Sequence, residues 1–74
     1  GGEGGGVIVC EMRREANSGS WFVTGRMRVG ERRLTYTEVA PYHEIRERGH
    51  QAVMDTNKRV QKELWDVEAM INAA

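Results

Sequence analysis

From Trp21 to Val29 the chain changes character at every step: Trp21, Val23, Gly25, Met27 and Val29 alternate with Phe22, Thr24, Arg26 and Arg28. A period of two is that of a strand with one covered and one wetter face. The pattern predicts Trp21, Val23, Met27 and Val29 buried, and Arg26 and Arg28 exposed beside Phe22 and Thr24. Upstream, the β-branched run Val7-Ile8-Val9 continues into Cys10 and Met12 before Arg13-Arg14-Glu15, which predicts a first strand over residues 7–14. Asn17-Ser18-Gly19-Ser20 holds residues that tolerate positive φ or bond to their own backbone, so the chain reverses there. Downstream, Val29-Gly30-Glu31-Arg32 suits a tight hairpin, and Arg33-Leu34-Thr35-Tyr36-Thr37 resumes strand chemistry with Leu34 and Tyr36 inward. The three segments make an antiparallel meander.

After the third strand the period lengthens. Thr35 stands three residues before Glu38, the spacing of a capping box, and Pro41 suits only a first helical turn, so a helix is expected from near residue 38 to 72. Val53, Asn57, Val60, Leu64, Val67 and Ile71 recur at alternating four and three spacings along it. Gly49 costs a helix about 1 kcal/mol relative to alanine, and predicts a kink or break at Gly49-His50. The fold class is therefore α+β, a three-stranded antiparallel β-meander followed by a long C-terminal α-helix, βββα. An unbroken helix over that span would be about 50 Å long, against about 27 Å for an eight-residue strand. Either the helix folds back at Gly49, or its second half projects and presents Val60, Leu64, Val67 and Ile71 to a second copy or another protein.

Composition narrows the choices. The chain has 74 residues, 39% hydrophobic and 30% charged, with 11 basic side chains against 11 acidic ones. Residues 1–6, nearly all glycine, read as a flexible linker or cloning remnant, and residues 7–74 as one small domain. A single core this small rarely supplies more than roughly 3 to 5 kcal/mol, which favours a partner subunit. The lone Cys10 cannot form an internal disulfide and reads as a small buried hydrophobe in a reducing, cytoplasmic compartment. No run approaches the roughly 18 apolar residues of a membrane span, and no signal-peptide pattern opens the chain, so no membrane association is expected.

Candidate chemistry is sparse. His43, Glu47 and His50 fall at i, i+4 and i+7, where a continuous helix would aim them at one ion. Gly49 interrupts that register, and the expectation is a solvated face with no metal. No nucleophile, base and orienting group are grouped, and no glycine loop is placed to cradle phosphate, so neither an enzyme, a cofactor nor a small-molecule substrate is expected. Glu44 and Arg48, Asp55 and Arg59, and Lys62 and Asp66 stand at i, i+4, as on a salt-bridged helix surface.

Two function classes remain. The first is a non-enzymatic interaction or regulatory module that forms a homodimer, or binds a partner protein, through Val60, Leu64, Trp65, Val67 and Ile71 of the helix. Asn57 would then set register in an otherwise apolar seam. The alternative is a small nucleic-acid-binding domain that uses Arg26, Arg28, Arg32 and Arg33 with Phe22 on the outer sheet face. Against it, Glu11, Glu15, Glu31 and Glu38 offset most of the charge of the strand region. Three strands and a helix occur in several unrelated small domains, double-stranded-RNA binders and integrase arm-binding domains among them. No motif ties the chain to either, and Pro41-Tyr42-His43-Glu44 stands where a Lys-Lys-Ala cluster would open the helix.

Overall fold

A computed structural model describes residues 5–74. Strand β2 (Trp21–Val29) is central, pairing antiparallel with β1 (Val9–Arg14) on one side and β3 (Arg32–Ala40) on the other. Helices α1 (Tyr42–Arg48) and α2 (Gln51–Ala73) follow, so the α+β, βββα arrangement is the one the alternation predicts. Val23, Met27 and Val29 are buried, Trp21 is half-buried, and Arg26 and Arg28 are exposed. The register carries the inward face onto β3 through Gly25↔Tyr36 and Met27↔Leu34. Helix α2 covers this face with Val53, Val60 and Leu64. Thr56, fully enclosed among them, donates its hydroxyl to the Ala52 carbonyl at 2.9 Å, so its own buried hydroxyl is satisfied.

The helix packs closely over Gly25. A β-carbon at that position would lie 2.7 Å from Leu64 Cδ1 and 2.8 Å from Val60 Cγ1, closer than carbon atoms can approach. The missing side chain in the middle of β2 is thus what lets two large α2 side chains pack onto the strand.

Strand β3 is longer than the capping-box spacing implies. It continues through Glu38 and Ala40, paired with Val23 and Trp21, and Thr35 is an outward strand residue that caps nothing. The ladder satisfies backbone groups over the whole length of β2, which a helix starting at residue 38 would leave unpaired. Pro41 ends it, having no N–H to give the ladder, and takes the N-cap position of α1 in an extended conformation (φ −71, ψ 150). At the other end, β1 starts at Val9; Ile8 lies before it and still packs on the core.

The helix does break at Gly49, whose φ of 67 lies in the left-handed region. At 1.5 Å per residue α2 is about 34 Å long, near the roughly 30 Å of a nine-residue strand, so sheet and helix match. Arg48 and Gln51 both bind the Asp55 carboxylate, the latter at 2.9 Å, and clasp the break. Two of the three expected i, i+4 pairs are rerouted: Arg48 takes Asp55, and Arg59 bonds Glu38 of β3 at 3.0 Å. Only Lys62 and Asp66 pair along the helix, at 2.8 Å.

Of the glycine-rich opening read as a linker, residues 1–4 lie outside the described residues, which include only its Gly5 and Gly6. There the chain is fastened. The Gly6 N–H donates to both Glu68 carboxylate oxygens at 3.2 and 3.0 Å, and the Trp65 indole N–H donates to the Gly6 carbonyl at 2.9 Å.

Two predictions follow from this packing. Gly25→Val should destabilise the fold by about 1 to 3 kcal/mol through overpacking. Combined with Leu64→Ala, the total loss should be smaller than the sum of the two single losses, as chemical-denaturation midpoints would show. The second concerns acid. Glu15 accepts the Asn17 and Ser18 amides at 3.1 and 2.8 Å, which holds its carboxyl below the ordinary value of 4.5. Hydrogen bonding from Arg48 and then Gln51 likewise holds Asp55 below 3.8. A carboxyl with a lower pKa folded than unfolded adds stability above its unfolded value and loses it as pH falls through the folded one. Denaturation midpoints should therefore decline on acidification through and below the ordinary carboxylate range, less steeply in Glu15→Gln and Asp55→Asn.

Candidate nucleic-acid interface on the open sheet face

Because strand side chains alternate, the register also defines the opposite face. It carries Val9, Glu11 and Arg13 from β1, Phe22, Thr24, Arg26 and Arg28 from β2, and Arg33, Thr35, Thr37 and Val39 from β3. Among the described residues no element covers it. Read along β2, the face passes through four cross-strand rows. Arg13, Phe22 and Val39 form the first; Glu11, Thr24 and Thr37 the second, with the two threonine hydroxyls 2.8 Å apart. Val9, Arg26 and Thr35 form the third, and Arg28 with Arg33 the fourth.

The charge of this face differs from that of the strand region as a whole. Four arginines share it with one glutamate, whereas Glu15 and Glu31 lie in the turns and Glu38 points to the helix side. There Glu38 accepts hydrogen bonds from Arg59 and from the Tyr36 hydroxyl, at 3.0 and 2.9 Å. The bond to Glu38 pushes the Tyr36 phenol up. Glu11 reaches Arg26 at 3.3 Å, but both side chains are more than half exposed, so the pair is worth little. Arg28 and Arg33 stand directly opposite one another with no carboxylate partner among the described residues. Like charges so placed oppose strand pairing. Around them an open groove of about 500 Å³ is lined by Val7, Val9, Arg26, Arg28, Arg33 and Thr35, and reaches Met27 and Leu34.

The structure thus brings Phe22, Arg26, Arg28 and Arg33 onto one surface, as the alternation implies. Arg32 is not among them: it pairs with Val29 and belongs by parity to the helix side, at the strand end. Arg13 joins the face instead, a position the register reveals and the sequence alone left unassigned.

The other candidate residues are placed differently. Val60 and Leu64, expected in a seam for a second copy, are 0% and 2% exposed inside the chain's own core, because Gly25 lets α2 settle onto β2. Ile71 packs against that core and Val67 is half-buried, while Trp65 is exposed beside Gly6. Asn57 is half-buried, its side-chain oxygen without a hydrogen-bond partner. His43, Glu47 and His50 do not share a helix face, since α1 ends at Arg48 and His50 becomes the N-cap of α2, edge-on to Trp21 at 6.0 Å. Among the described residues no three His, Cys, Asp or Glu side chains converge as metal ligands. Cys10 faces the helix side opposite Gly25, and burial pushes its thiol up, which disfavours the reactive thiolate. No helix in the described residues is long and apolar enough to cross a membrane.

Replacing Arg33 with threonine should relieve the repulsion facing Arg28 and raise stability by roughly a few tenths of a kcal/mol at low ionic strength. Added salt should erase the gain by screening the wild-type pair, so melting of the two proteins at low and high salt provides the check.

Comparisons with protein-family models, with curated proteins and with solved structures find no match to this chain.

Proposed function

We propose that this chain is a non-enzymatic module that binds nucleic acid through the phosphate-facing arginines of its open sheet. The observation that carries the reading is the Arg28–Arg33 juxtaposition at the groove, a like-charge pair that an incoming phosphate would neutralise. A guanidinium offers a fork of donors matched to phosphate oxygens, and Arg26 stands one row away to extend the contact. Guanidinium groups are donors that carry a fixed charge and threonine hydroxyls do not ionise near neutral pH, so the face is equipped to hold an anion and not to transform it. With a net charge of zero the whole chain exerts little long-range attraction, and binding is local and modest. An unpaired thiol at Cys10 fits a reducing, cytoplasmic compartment.

Fluorescence anisotropy with a labelled oligonucleotide should show affinity falling linearly with salt on logarithmic axes, with a slope of roughly −2 to −4 for three or four phosphate contacts. Arg28→Glu should weaken binding about tenfold or more, as expected for replacing an attraction with a repulsion. Lys58→Glu, on the helix layer at the other side of the sheet, should leave it nearly unchanged. Absence of binding to any nucleic acid at low salt would sink the proposal.

A further inference from the structure

Resting on that reading, we infer that the ligand of the open face is a single nucleic-acid strand, laid along β2 with a base stacked on Phe22. The placement of the cations is the first argument. Arg13 on β1, Arg26 and Arg28 on β2 and Arg33 on β3 form a diagonal track across the sheet, interrupted at the second row, where Glu11 accepts a hydrogen bond from Arg26 at 3.3 Å. The rows lie about 6.7 Å apart, so the track from the Arg13 row to the Arg28 row covers about 20 Å, the reach of a few nucleotides. A duplex presents phosphates on both walls of a groove, and an element inserted there needs cations along both flanks. Here the flank on β3 beyond Arg33 is Thr35, Thr37 and Val39, and the middle of β1 carries Glu11. That carboxylate repels a second backbone and steers the first toward β2 and β3.

The second argument is the far end of the track. Phe22, half-buried, lies between Arg13 and the exposed Val39 in one row, so the open part of an aromatic ring, an apolar side chain and a guanidinium are presented together on an uncovered face. Every unpaired base has a flat π-face, and stacking on an aromatic or guanidinium plane is how open sheets hold single strands with little sequence preference. A base inside a duplex has both faces occupied by its neighbours. Phe22 therefore adds affinity for an unstacked base and little for a paired one, while Arg26, Arg28 and Arg33 hold its backbone.

The test uses the whole chain and three labelled probes: a single strand of about twelve nucleotides, its blunt duplex, and the same strand with abasic sites. The single strand should bind about tenfold tighter than the duplex, and the abasic strand should lose about as much as Phe22→Ala costs the intact one. Phe22→Ala should leave the salt slope unaltered and have no further effect on the abasic probe, and Phe22→Tyr should restore binding. A thermal melt of each variant separates lost stacking from lost folding. Should the duplex bind as tightly as the strand, or should Phe22→Ala be silent while Arg28→Glu weakens binding, the single-strand inference fails and nucleic-acid binding stands. No binding of any probe overturns both.

Discussion

The contact between α2 and Gly25 is the constraint on which the rest depends. Val60 and Leu64 can be enclosed only where the strand beneath them has no side chain, and those two residues with Val23 and Val53 are among the most buried in the molecule. Close-packed interiors lose stability steeply when a methyl group is added or removed, so one glycine sets the height of the helix above the sheet. That height in turn decides which residues of α2 remain outside. Because α2 seats Val60 and Leu64 inward, its outer surface shows mainly charged and polar side chains together with Trp65 and Met70.

Polar contacts then orient what the apolar ones hold. Arg59 bridges Glu38 of β3 and the enclosed Thr56 of its own helix, with Tyr36 completing the set on the strand side. At the opposite edge, Glu68 and Trp65 hold the chain just before β1. The helix is thus tied on both flanks of the sheet, and the arginine-to-Asp55 clasp ties the end of the short α1 to the beginning of α2. These bonds are exposed or only partly buried and individually weak, yet they are directional where the hydrophobic contact is not.

Much of the sheet was legible because its signal is local. The period of two from Trp21 to Val29 already separates Val23 and Met27 from Arg26 and Arg28, and Gly49 marks the helix break by its cost in a helix. What was not legible depended on pairing between distant segments. Thr35 and Glu38 have capping-box spacing, but ladder bonds to Arg26 and Val23 draw them into β3. Arg32 and Arg33 are neighbours in sequence and fall on opposite faces once the register is set, while Arg13 joins the outer face only through its pairing with Phe22. A charge count along the chain averages both faces, which is why Glu15, Glu31 and Glu38 concealed the imbalance of one. The inward turn of Val60 and Leu64 was equally hidden, since an apolar stripe does not say which surface it meets.

A protein of two layers has a single dry interface, and the outer side of its sheet contributes almost nothing to it. Arg26, Arg28, Thr35 and Thr37 can each be exchanged without opening a cavity or crowding a neighbour in the core. Substitution on that surface is therefore nearly independent of foldedness: the same scaffold could carry a different recognition surface, while Gly25, Val60 and Leu64 are constrained by their packing.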